Sequence, residues 1–66
     1  MEDLAALSPY TVIVADSERY GDNIVLVKLD EGEGVITWST PGDETMVFTE
    51  QEVNERFNYW EVVARA

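Results

Sequence analysis

The stretch KLDEGEGVITWSTPGDETMVF, residues 28–48, decides how this chain is read. It holds a run of strand length, VITWST (Val35–Thr40), between two turn segments, EGEG and PGDE. The glycines of EGEG can take positive φ, whereas in PGDE Pro41 fixes φ and Gly42 supplies freedom. Ile36 and Trp38 fall on one face of the strand, and TMVF follows as another short strand. The same turns crowd negative charge together. Asp30, Glu31, Glu33, Asp43 and Glu44 stand there, with Lys28 nearby.

Working outward, YTVIVAD (Tyr10–Asp16) and NIVLVKL (Asn23–Leu29) are β-branched, apolar runs separated by the turn segment SERYGD. In the second run Val25, Val27 and Leu29 share one face and are assigned to the core, leaving Ile24, Leu26 and Lys28 on the other. Downstream, TEQEVNERFNYW changes period. Thr49 and Glu52 have the spacing of a capping box, and Val53 and Phe57 share a face at i and i+4, predicting a helix of two to three turns. YWEVVARA then alternates again and reads as a last strand carrying Trp60, Val62 and Ala64 on one side. The expected fold is mainly β: a small antiparallel sheet or partly open SH3-like barrel of about five strands, with one short helix before the last. Residues 1–66 form one domain. Within it EDLAAL makes at most one helical turn, ended by Ser8 and Pro9, so residues 1–9 are expected to be loosely ordered.

A chain of 66 residues buries only about 60% of the surface its unfolded form exposes, which leaves little room for a large active-site cavity. It has no cysteine and no histidine, so thiolate chemistry, disulfides and the usual metal ligand and neutral-pH proton carrier are all missing. Neither a secretory signal nor a run of membrane-spanning length is present, and a soluble cytoplasmic protein is expected. Fourteen acidic residues against four basic ones give a net charge of -10, which opposes direct binding to nucleic acid or an anionic membrane. Hydrophobic residues make up 45% of the chain, above what a solvated acidic tail carries, so the charge belongs to a folded domain.

The candidate site is therefore the acid itself: Asp16, Glu18 and Asp22; Asp30, Glu31 and Glu33; Asp43 and Glu44; Glu52 and Glu55. Carboxylates two apart on a strand lie roughly 6.6 Å apart and those three or four apart on a helix about 5–6 Å, the scale of successive phosphates. The competing reading is a solvated surface that keeps a small domain soluble, although such surfaces usually intersperse both signs. A calcium loop lacks its terminal bidentate glutamate, and a pair such as Glu31 and Glu33 lacks an apolar cleft to separate its pKa values; no metal, cofactor or catalytic residue is assigned. Trp38, Phe48, Phe57 and Trp60 are read as core. Tyr20, in the acidic turn DSERYGD, is read equally as a ring that docks on a partner or as a lid over the sheet edge.

With its FTEQEVNERFNYWEVV ending, the compact acidic chain resembles the small early proteins that bacteriophages make to redirect the host. In charge and size it is similar to the DNA-mimic inhibitors among them. That resemblance implies stoichiometric blockade of a basic DNA-binding protein, such as a histone-like nucleoid protein, by a monomer or homodimer that catalyses nothing. The alternative is a structural or assembly module whose acidity serves solubility.

Overall fold

A computed structural model of the protein describes residues 3–65. Five antiparallel strands form one open sheet in the order β4-β3-β2-β1-β5, with a short helix before the last strand, as the sequence predicts. The strands are β1 (Val12–Ser17), β2 (Gly21–Gly32), β3 (Val35–Thr40), β4 (Asp43–Phe48) and β5 (Tyr59–Ala64). The helix α1 (Glu50–Arg56) starts at Thr49, whose hydroxyl accepts from the Glu52 N–H while the Glu52 carboxylate accepts from the Thr49 N–H. Reciprocal capping satisfies two amides that a helix start would leave orphaned. Among the described residues β4 and β5 do not pair; α1 lies between them in the chain and packs Val53 and Phe57 into the core.

The long strand β2 organises the rest. Its first half pairs with β1, Leu26 facing Ile13, and its second half pairs with β3, Lys28 facing Trp38. The assignment of Val25, Val27 and Leu29 to the core is corrected by this register. Ile13, Ala15, Leu26 and Trp38 are fully buried, so the buried face of β2 carries Leu26 and Lys28, with Ile24 half-buried. Val25, Val27 and Leu29 occupy the outer face, Val25 being 39% exposed. Both faces of β2 are apolar, so its lone lysine would ordinarily mark the water side.

Lys28 departs from that rule because its ammonium is satisfied inside. The segment from Asp3 folds into a 3-10 turn (Leu4–Ala6) whose Leu4 and Leu7 enter the core. Its carbonyls converge on Lys28 Nζ, at 3.1 Å from Leu4, 3.4 Å from Ala5 and 2.7 Å from Leu7. The Glu50 carboxylate lies 3.3 Å from the same nitrogen and also accepts from the Trp38 indole N–H at 3.4 Å. The ammonium further sits 5.9 Å from the Trp38 ring centre, within cation–π reach. The segment expected to be loose over residues 1–9 is thus tied to the sheet from Asp3 onward. Its backbone continues the ladder, Tyr10 donating to the Lys28 carbonyl and Lys28 to that of Thr11. Tyr10 reaches that position at φ 70, a left-handed conformation that costs an L-residue roughly 1–2 kcal/mol.

A second cluster closes the opposite end. Phe48, Phe57 and Tyr20 pack ring against ring, with centroids 5.2 to 5.8 Å apart. Buried Ser17 locks the adjoining turn, accepting from the Arg19 and Tyr20 amides and donating to the Arg56 carbonyl at 2.7 Å. No helix among the described residues is long and apolar enough to cross a membrane.

Replacing Lys28 by Met strands the Leu4 and Leu7 carbonyls and the Glu50 carboxylate. Removing one partner of a buried pair costs about 3–5 kcal/mol, and a loss near 3 is expected here because Glu50 keeps partial access to water. A urea midpoint measured beside that of Lys28→Met/Glu50→Gln checks it. The double variant should recover part of the loss, since the unpaired carboxylate is gone.

Candidate functional site

The carboxylates lie at four places, and the sheet topology separates them. Asp16, Glu18 and Asp22 flank the β1–β2 turn, while Asp30, Glu31 and Glu33 stand at the far end of β2. Asp43 and Glu44 begin β4 after the Pro41–Gly42 turn. That turn lies on the same side as the β1–β2 turn but not level with it. Ser39 faces Val27, so Pro41 comes level with Val25, four residues short of Gly21, or about 13 Å along the strand. Glu52 and Glu55 lie on α1. The acid therefore marks the turns at both ends of the sheet and the helix packed on its buried face, rather than filling one face.

Within each place the carboxylates divide into two kinds. One kind holds the backbone. Asp16 accepts from the Asn23 amide at 2.9 Å, Asp30 from Gly32 at 2.9 Å, and Asp43 from both the amide and the hydroxyl of Thr45, at 3.0 and 2.6 Å. Asp30 and Asp43 close their turns by reaching a backbone donor two residues on, whereas Asp16 reaches across the β1–β2 connection to an amide seven residues on. Glu52 caps α1 and meets the Arg56 guanidinium at 3.0 Å, and Glu31 accepts from the Thr37 hydroxyl at 3.2 Å. The Thr45 bonds hold the Asp43 carboxyl below its ordinary range, and the Thr49 amide, aided by Arg56, does the same for Glu52. On β5 the Glu61 carboxylate faces the Tyr59 hydroxyl at 3.4 Å and raises its pKa.

The other kind makes no bond within the fold. Glu18, Asp22, Glu33, Glu44 and Glu55 have no hydrogen-bond or ion-pair partner among the described residues, and all five are exposed. The chain's cations are largely spent elsewhere: Lys28 is buried, Arg56 serves Glu52 and the Tyr20 hydroxyl, and Arg19 lies over the Tyr20 ring. Glu33 is held at φ 56 beside Gly34 at φ 80, so the β2–β3 connection is a two-residue turn with both residues left-handed, the kind that matches strand twist.

Tyr20 is half-buried in the aromatic cluster, so its packing favours the lid among the two roles expected of it. The exposed aromatics are Tyr10, at 66%, and Tyr59, at 56%. The sequence sets both, with Tyr20, apart from the four aromatics assigned to the core. No group of three or more acidic side chains among the described residues is arranged to hold a metal ion. An open hollow of about 610 Å³ lies beside the Pro41–Gly42 turn, lined by Ser39, Thr40, Asp43, Glu44 and Val47. No protein-family model, curated protein or solved structure matches the chain.

Two expectations follow from the local geometry. Glu33→Asn should raise stability by about 0.5–1 kcal/mol, because Asn-Gly suits a turn with two left-handed residues better than Glu-Gly; the thermal midpoint reads it. Asp43 and Glu52 both have lowered folded pKa values against ordinary ones of 3.8 and 4.5. Their contribution is present above those ordinary values and is lost as pH falls through the lower folded ones. An acid titration of stability should accordingly steepen below about pH 4, and Glu52→Gln should flatten the part that reports helix capping.

Proposed function

We propose that this domain is a non-enzymatic inhibitor that presents carboxylates in place of DNA phosphates to a basic nucleic-acid-binding protein, one to one. The observation that carries this reading is the set of carboxylates with no role inside the fold. Glu18, Asp22, Glu33, Glu44 and Glu55 stand exposed, while Lys28, Arg56 and Arg19 are engaged in the fold or against its aromatic rings. Uncompensated like charge destabilises a compact state, so a surface that carries it against stability is consistent with selection for the field. Asp22 and Glu33 stand at opposite ends of the longest strand, in a fold 31 Å in its longest dimension. One turn of duplex DNA is about 34 Å, so the exposed acids are spread over a length comparable to one turn. The proposed partner is a histone-like nucleoid protein or another protein with a comparable basic groove, met in a bacterial cytoplasm by a phage-encoded domain.

A second reading has its own observation. Asp16, Asp30, Asp43 and Glu52 close turns or cap the helix, so part of the acidity is structural. An assembly module with a merely soluble surface would use them in the same way. Competition separates the two. With a purified histone-like nucleoid protein bound to duplex DNA, the domain should displace DNA at about 50 mM salt and lose most of that ability by about 200 mM. Changing the five unbonded acids to Gln or Asn should abolish displacement and leave the thermal midpoint unchanged or higher. Undiminished competition by that variant contradicts the mimic and leaves the assembly module.

A further inference from the structure

The outer face of the sheet is a surface that the fold leaves uncovered. The buried face of the sheet packs under the N-terminal turn, α1 and the aromatic cluster; the outer face has no described element over it. Its register places Ala64, Val12, Val27, Ser39 and Val47 in one row across all five strands. Val14 and Val25 form the next row, and Leu29 extends the first on its other side. Val25, Val47 and Val63 are 39, 47 and 56% exposed, and Val12, Val14, Val27 and Leu29 are half-buried. The first row of this band spans all five strands, roughly 19 Å, whereas the second is apolar only at Val14 and Val25, with Glu61 beside Val14, and the third only at Leu29, beside Thr37.

Charge decides what covers it. Glu61 faces Val14 across the ladder and Tyr59 faces Asp16, which sets two carboxylates at one end of the band. Glu31 reaches the other end through the outward Thr37. Lys28, Arg19 and Arg56 are all engaged elsewhere, and Arg65 follows Ala64 at the sheet edge. A second copy would therefore bring carboxylates against carboxylates. Three full rows across five strands would cover roughly 250 Å²; the apolar part is smaller, and so under about a third of the 800 Å² per partner of a standard stable interface. Apolar contact over so little area does not offset that repulsion, so the rim must contribute attraction.

We infer that the outer valine face is the apolar centre of an interface for a cationic amphipathic segment of a partner protein, one with an apolar stripe flanked by Lys or Arg. The inference rests on the reading of the domain as a binder of basic proteins and adds where on the domain, and by what chemistry, the partner is held. Apolar contact at the centre with opposite charge at the rim is the arrangement in which the rim speeds encounter and the centre slows release. Pure phosphate imitation would need no such centre.

Two synthetic peptides with equal lysine counts provide the test, one an amphipathic leucine–lysine helix and the other with glycine in place of leucine. The domain should bind the leucine peptide at least about tenfold more tightly. Val25→Thr/Val47→Thr keeps the branched shape suited to strands and should remove that preference while leaving the glycine peptide's affinity unchanged. Methyl resonances of the unaltered protein give a reading that does not depend on the variant folding: Val12, Val25, Val27 and Val47 should shift with the leucine peptide and buried Ile13 should not. Equal affinity for the two peptides, or shifts away from the valine face, overturns the inference and leaves the acidic-inhibitor reading intact. Failure to bind either peptide at low salt overturns both. A homodimer that the double Thr variant dissociates gives the face to a second copy and overturns the inference.

Discussion

The rest of the structure depends on the burial of one ammonium group. Moving a lone charge from water into a protein costs several kcal/mol even after relaxation, so Lys28 can sit inside only if its surroundings replace the solvent. They come from three parts of the chain: the carbonyls of Leu4, Ala5 and Leu7, the Glu50 carboxylate at the start of α1, and the face of Trp38 on β3. The N-terminal turn cannot leave without stranding the charge, and α1 cannot shift without losing Glu50. Each of these elements is too short to persist alone. A domain with a small core thus gains through one polar centre a coupling that apolar area alone would supply weakly.

That centre also explains which parts of the fold were legible in the sequence. The strands, the turns and the capped helix follow from local chemistry: period-two alternation, Gly and Pro placement, and the Thr49–Glu52 pair. The facing of β2 does not, because both of its faces are apolar and the lysine that would mark the outside is the residue drawn inward. Lys28 betrays itself only through partners distant in sequence, up to 24 residues away. The packing of Leu4 and Leu7 was hidden for the same reason, since a short helical turn is marginal until something binds its carbonyls. The acidic positions could be read directly from the chain. Their division into turn-closing and unbonded groups could not, because it depends on which amides the folded turns present.

The opening crowd of charge in the turns has two physical causes. Asp16, Asp30 and Asp43 are where they are because turns expose amides that short carboxylates satisfy. Glu18, Asp22, Glu33, Glu44 and Glu55 satisfy nothing within the fold and add only field. The outer face of the same sheet carries Val12, Val14, Val25, Val27 and Val47. Inward, the sheet is held by a buried cation; outward, it offers anions around an apolar band, the chemistry that a basic amphipathic surface complements.

Hydrogen exchange of the native protein tests the central claim most directly. If Lys28 couples the N-terminal turn to the sheet, the amides of Leu7 and Tyr10, bonded to the Leu4 and Lys28 carbonyls, should open only with the centre of β2. Their free energy of opening should then equal that of Leu26. Exchange of Leu7 and Tyr10 by a separate, low-energy opening while Leu26 stays protected would contradict it, showing that the sheet stands without the turn and that the buried ammonium unites nothing.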